Sequence, residues 1–178
     1  MIVLETERMS LRRLTMDDVD NMLGIYSDPV AMEHFPSTRD RDGTIEYLER
    51  TLARYEEDGH GFWACIRKSD GEYLGNCGVL KQEVEGEFEL EVGYQFLRKH
   101  WGKGYATEAA IACRDYAFEH LGADPVISMI APANEPSQRV AQRNGMTPGR
   151  MINKWGLDLV VHAITRAEWE ALKSATAS

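Results

Sequence analysis

The run "EFELEVGYQF", Glu87 to Phe96, constrains the fold more than any other part of the chain. In it Phe88, Leu90, Val92, Tyr94 and Phe96 alternate with Glu89, Glu91, Gly93 and Gln95. Period two over that length is a strand with one apolar and one largely polar face. Soon after comes "HWGKGYATEAA", His100 to Ala110, where Gly102 and Gly104 flank Lys103 and the chain then turns Ala-rich. The first N–H groups of a helix have no intrahelical partner, and the helix dipole favours negative charge beside them. Gly102 and Gly104 permit positive φ and close approach of a ligand, and Lys103 adds a point charge. Taken alone, the pattern fits a phosphate cradle and a purely structural glycine turn equally well.

The flanking segments supply the other elements. "RMSLRRLT", Arg8 to Thr15, alternates as a first strand. Thr15 and Asp18 stand in capping-box spacing before a helix carrying Met22, Leu23 and Tyr26, which Pro29 ends. A second helix is expected over 41–58, with Ile45, Leu48, Leu52 and Tyr55 on one stripe. "GFWACIRK" and "GEYLGNCGVL" are strands leading to the 87–96 strand. Beyond the glycine turn a helix over about 104–121 buries Ala106, Ala110, Cys113, Ala117 and Leu121. "PVISMIAP" is a strand, and "NEPSQRVAQRNG" a short helix with Pro136 near its first turn, Asn134 or Glu135 as cap and Gly145 as stop. "MTPGRMIN" and "GLDLVVHAI" form a hairpin, and Thr165 with Glu168 opens a last helix. Strands that run together without interleaved helices predict an α+β fold. The expected architecture is one domain over 1–178, with a mixed central sheet of about seven strands flanked by helices.

Bulk properties narrow the function. At 178 residues and 43% hydrophobic the chain can build a core. No apolar run approaches a bilayer span and the N-terminus lacks a signal-peptide core, so the cytoplasm is expected and a membrane partner is not. Cys65, Cys77 and Cys113 read as buried thiols. A net charge of −9 argues against nucleic acid. It is compatible with a cationic partner such as an amine, or with solubility alone. H-E-x-x-H, G-x-S-x-G and Walker A are all missing, and no metal site is expected. A dinucleotide fingerprint is approached at Gly102 and Gly104 and then missed at Thr107.

Wider spacing adds a resemblance. "EVGYQFLRKHWGKGYATEA", followed about thirty residues later by "NEPSQRVAQRNGM", resembles the GNAT N-acetyltransferases. It is nearest the branch typified by ribosomal-protein N-terminal acetyltransferases. "LETERMSLRRLTMDDVDNMLGIYSDPVAMEHF" and "ITRAEWEAL" look like that branch too. The resemblance implies a GNAT-like domain, acetyl-CoA as donor, and a primary amine as acceptor, either a peptide N-terminus or a small amine. It implies direct transfer in a ternary complex by a monomer or homodimer. By the same resemblance Gly102, Lys103, Gly104, Tyr105, Ala106 and Thr107 hold the pyrophosphate. Trp101 replaces the family's Gln or Arg, which leaves that work to backbone N–H groups. Phe96, Leu97 and Arg98 are implied to present backbone groups to the acetyl and pantetheine end. Asn134 and Ser137 match the family's Asn-x-x-Ser/Ala along the pantetheine arm. Arg143 either reaches a CoA phosphate or is a solvated helical arginine.

Two catalytic candidates follow. Glu91 matches the branch's Glu-x-Gly-Tyr and would serve as general base. Read from the residues alone, Glu91 and Glu89 are equally solvated sheet charges. Ala141 occupies the place of the family's Tyr acid, so Ser137 is the nearest hydroxyl. Ser137 is open to three readings: an acid, a hydrogen bond to the sulfur, or a helix cap. Without the Tyr, a non-catalytic acyl-CoA sensor is the alternative function. The two N-terminal helices and "SDPVAMEHFP" between them are expected to line the acceptor groove, with His34 and Phe35 in its wall.

Overall fold

A computed structural model describes residues 1–177. The elements are β1 (Ile2–Glu5), β2 (Met9–Arg13), α1 (Val19–Tyr26), α2 (Arg41–Glu57), β3 (Phe62–Arg67), β4 (Tyr73–Val84) and β5 (Glu87–Phe96). These are followed by α3 (Tyr105–His120), β6 (Val126–Ile130), α4 (Glu135–Arg143), β7 (Thr147–Lys154), β8 (Leu157–Ile164) and α5 (Arg166–Thr176). The strands form one eight-stranded sheet in the order β1-β2-β3-β4-β5-β6-β8-β7. Every pairing is antiparallel except β5 with β6, so the sheet is mixed as the element order predicts. The extra strand is β1. It is a four-residue edge strand, too short to show a period.

Local signals place the helix ends. The Asp18 carboxylate accepts from the Thr15 N–H at 2.9 Å and takes both Arg12 guanidinium nitrogens at 2.8 Å. Asp40 caps α2 by accepting from the Gly43 N–H at 2.9 Å. Asn134, not Glu135, caps α4. Thr165 and Glu168 form the expected capping box of α5.

Helices cover both faces of the sheet. On one face α3 lies against β4 and β5. Its fully buried Ala109, Ala110, Cys113 and Ala117 are small, which lets the helix axis come close to the strands. Ala106 and Leu121, expected on that stripe, are only partly buried and pack at its margins. On the other face α1 and α2 bury Met22, Ile25, Tyr26 and Leu48 against Phe62 and Leu80. The Tyr55 hydroxyl donates to the Phe62 carbonyl and accepts from the Leu14 N–H, tying α2 to the sheet. All three cysteines are buried and free, with Cys77 and Cys113 sulfurs 3.5 Å apart.

The junction of β5 and β6 positions the site. These parallel neighbours register only at Leu90–Val126 and Glu91–Ile127. Past that point the ladder ends, although β5 continues to Phe96 on β4. The Ser128 hydroxyl donates to the Val92 carbonyl at 2.7 Å, at the fork. The parted strands open a cleft within the sheet.

Candidate active site

Two cavities meet at that fork. One, of about 530 Å³, lies between residues 30–35, the end of β5, the glycine turn and α4. Phe96, Gly102, Gly104, Tyr105, Ala106 and Thr107 line it from the turn side. Asn134, Ser137 and Arg143 line it from α4. The other cavity, of about 570 Å³, opens on the side of α1 and α2, and Glu91 lies in its wall. His34, Phe35, Tyr94, Gln95, Asn134 and Ser137 border both cavities. His34 and Phe35, expected in the wall of the acceptor groove, border the two cavities alike.

The glycine turn is built to present N–H groups. Gly102 and Gly104 adopt φ of +73° and +81°, the left-handed region that side chains disfavour. Gly104 is the N-cap of α3, so the N–H groups of Tyr105, Ala106 and Thr107 start the helix without intrahelical partners. A Cβ at Gly102 would meet no atom within 4 Å, so the space beside it is open to a ligand. Arg8 holds the turn from outside. It donates to the Lys103 carbonyl at 2.9 Å and to Glu108 at 2.6 Å, and its guanidinium lies 4.4 Å over the Tyr105 ring. The Trp101 indole N–H donates to the Phe96 carbonyl at 2.9 Å and closes the turn onto β5.

Three of the expected residues line neither cavity. The Leu97 N–H donates to the Leu74 carbonyl at 2.9 Å, because β5 keeps its ladder with β4 to the end. That N–H is not available to an acetyl group, and the Leu97 side chain packs with the α1 cluster. The Arg98 guanidinium pairs with Asp28 at 3.0 Å. Lys103 is exposed.

Glu91 is not a solvated sheet charge. It is 8% exposed, and its carboxylate accepts from the Met129 N–H at 2.9 Å and from the Gln82 amide at 3.1 Å. Burial raises its carboxyl to about 7 even though the two hydrogen bonds, which favour the charged form, pull the other way. Glu89, two residues earlier, instead pairs with Arg150 at 3.2 Å. Ser137 does not cap α4. Its own N–H donates to the Asn134 side chain at 3.3 Å, and the residue borders both cavities. Ala141 is wholly buried and presents nothing to the cleft. The Tyr94 phenol donates to the Ser137 carbonyl at 2.7 Å and joins β5 to α4 across the fork. The Gln95 side-chain oxygen is buried without a protein partner at the border of both cavities.

The model of the "Acetyltransferase (GNAT) domain" family matches residues 8–147. The protein YkkB of Bacillus subtilis is 35% identical over 160 residues, covering 89% of this chain and 93% of that protein. The uncharacterized N-acetyltransferase p20 of Bacillus licheniformis is 31% identical, over 77% of this chain and 78% of its own. The crystal structure of an acetyltransferase from Agrobacterium tumefaciens superposes with a TM-score of 0.80 at 31% identity, covering 92% of this chain and 94% of that one. This chain belongs to the GNAT acetyltransferase family.

Three contacts of this GNAT domain carry little or no local signal. Arg8 and Glu108 are a hundred positions apart, and only the fold brings them to the glycine turn. Trp101 reads as a missing phosphate ligand, whereas it is a strap on β5. Tyr94 reads as part of the apolar face of β5, and its hydroxyl has a partner only because α4 lies opposite. The Glu-x-Gly-Tyr spacing is the one signal that singles Tyr94 out.

Proposed function

We propose that this GNAT N-acetyltransferase moves an acetyl group from acetyl-CoA to a primary amine by direct transfer, with both substrates bound at once. The observation that carries the reading is the meeting of the two cavities at the β5–β6 fork, one beside the N-terminus of α3 and the other beside a buried carboxyl. The open space at Gly102, the unpartnered N–H groups at the start of α3 and the orphaned Gln95 oxygen fit the donor. When bound, that donor supplies a thioester whose sulfur leaves with the electron pair of the broken C–S bond.

Each residue then has a defined task. Gly102, Gly104, Tyr105, Ala106 and Thr107 hold the pyrophosphate through backbone N–H groups, in the geometry of a helix N-terminus. Phe96, Asn134 and Ser137 border the pantetheine arm, and Arg143 reaches a phosphate from the last turn of α4. The amine nitrogen forms the new N–C bond, and Glu91 takes the proton it loses. A carboxyl raised to about 7 is suited to that exchange near neutral pH. The Ser137 hydroxyl, free of capping, hydrogen-bonds the departing sulfur. Three buried free thiols suit a reducing compartment, which supports the cytoplasm as its location.

The preferred acceptors are peptide α-amines or small amines over lysine side chains. At pH 7 about a tenth of an α-amine is neutral, against fewer than about one in a thousand lysine amines. The test is thiol release from acetyl-CoA across a panel of amines. It includes a lysine-free peptide with a free α-amine and an N-terminally blocked peptide with one lysine. Faster acetylation of the blocked peptide across pH 7 to 9 overturns the preference, and no thiol release with any amine overturns the transfer.

A further inference from the structure

The acceptor cavity has a charge pattern unlike that of the chain. Net charge is −9 overall, yet three arginines line this cavity: Arg39, Arg50 and Arg54. Tyr47, Arg50 and Arg54 fall at i, i+3 and i+7 on α2 and so share one helical face. Arg39 enters from the turn before α2, anchored by its N–H to the Tyr26 carbonyl at 2.7 Å. Its guanidinium lies 4.8 Å over the Tyr47 ring, and that of Arg50 lies 5.8 Å from the same ring. Two of the three guanidinium groups therefore flank one phenol ring, and Arg54, one turn further along the same helical face, lines the same cavity.

None of the three is in contact with a counter-charge. Among the described residues no ion pair involves Arg39, Arg50 or Arg54, whereas Arg8, Arg12, Arg67, Arg98 and Arg150 each reach a carboxylate. The only carboxyl lining the cavity is Glu91, which is already held by Met129 and Gln82. Guanidinium groups stay charged at every working pH. Gathered without an anion they repel one another, and their planar donors match a carboxylate or phosphate.

We propose that the acceptor is a primary amine carrying an anionic oxygen group, a carboxylate or a phosphate, that docks on Arg39, Arg50 and Arg54 while its amine lies at Glu91. This rests on the transfer reading above. The two ends of such a molecule carry opposite charge when it arrives, and the wall of one cavity holds both the arginines and the Glu91 carboxyl. A single orientation satisfies both ends.

Matched amines test it. Glutamic acid α-amide and glutamine α-amide share a free α-amine and a blocked α-carboxyl, and differ only in the side-chain charge. Phosphoserine amide and serine amide make the second pair, and spermidine is the cationic control. Thiol release from acetyl-CoA is measured for each. The anionic member of at least one pair is expected to have a kcat/KM about tenfold higher, chiefly through KM. Which pair shows the larger ratio distinguishes carboxylate from phosphate. In Arg50→Gln that ratio falls at least about threefold, and added salt lowers it in the wild-type protein. Equal rates within both pairs, a preference for spermidine, or an unchanged ratio in Arg50→Gln overturns the proposal. If no amine releases thiol, the transfer reading fails by itself. Calorimetric titration with N-acetylglutamic acid amide and N-acetylglutamine amide then decides the arginine site. Tighter binding of the acid, weakened in Arg50→Gln, supports the site, and equal binding of the two overturns it.

Discussion

Replacing Glu91 by Gln should make this protein more stable at pH 8 and less active. The carboxyl titrates near 4.5 in an unfolded chain and near 7 in the fold, mainly because burial disfavours its charged form. Between those two values the folded protein binds more protons than the unfolded chain. Its stability therefore falls as pH rises through this window and is lowest above pH 7. A gap of about 2.5 units corresponds to about 3 kcal/mol. Glutamine does not titrate, and it keeps the geometry. Its carbonyl accepts from the Met129 N–H, and its amide can donate to a flipped Gln82. The stability of Glu91→Gln relative to wild type should thus improve by about 2–3 kcal/mol from pH 5 to pH 8. For a chain of this size that is a relative gain of about 4–12 °C in Tm. Scanning calorimetry at pH 5, 6, 7 and 8 measures it. Activity should move the other way, with kcat lower by about a hundredfold and the KM for acetyl-CoA little changed, because a base acts on the amine. A stability difference that stays constant across pH refutes the buried-carboxyl argument. Turnover within about threefold of wild type at every pH refutes Glu91 as the base.

Other perturbations test the cradle and the fork. Gly104→Val puts a β-branched residue at φ +81°, where Arg8 lies 3.4 Å from the new Cβ. CoA affinity should fall at least about tenfold, or about 1.4 kcal/mol, and calorimetric titration of a folded variant with unchanged affinity refutes the cradle. Arg8→Met removes the guanidinium that joins Glu108 to the Lys103 carbonyl, and should weaken CoA binding by about three- to tenfold while leaving kcat at saturating donor nearly intact. An unchanged Kd would show that the turn holds its shape unaided. Tyr94→Phe deletes the bond to the Ser137 carbonyl and should reduce stability by about 1 kcal/mol and lower kcat as α4 loses its registry with β5. Chemical denaturation and steady-state kinetics read both effects, and an unchanged kcat would reduce Tyr94 to packing.

Local periodicity and local hydrogen bonding made much of this molecule legible. The ten-residue alternation of β5 is a strand in any surroundings, and Asn134 with Pro136 starts α4 within a few residues of chain. The glycines at 102 and 104 announce positive φ because only glycine takes it freely. What a face meets is a different quantity, decided by residues distant in sequence. Glu91 shares its face with Glu89, yet Met129, brought alongside by β6, helps bury one of them, while Arg150 on β7 pairs the other near the surface. The same limit hides the Leu97 N–H, taken by β4, and the arginines of α2 that line a cavity, which the apolar stripe of that helix does not announce. Period reports which side chains point the same way. Desolvation and Coulomb energy depend on what stands opposite them, and in this chain the tertiary structure alone turned a polar strand face into the wall of a cavity.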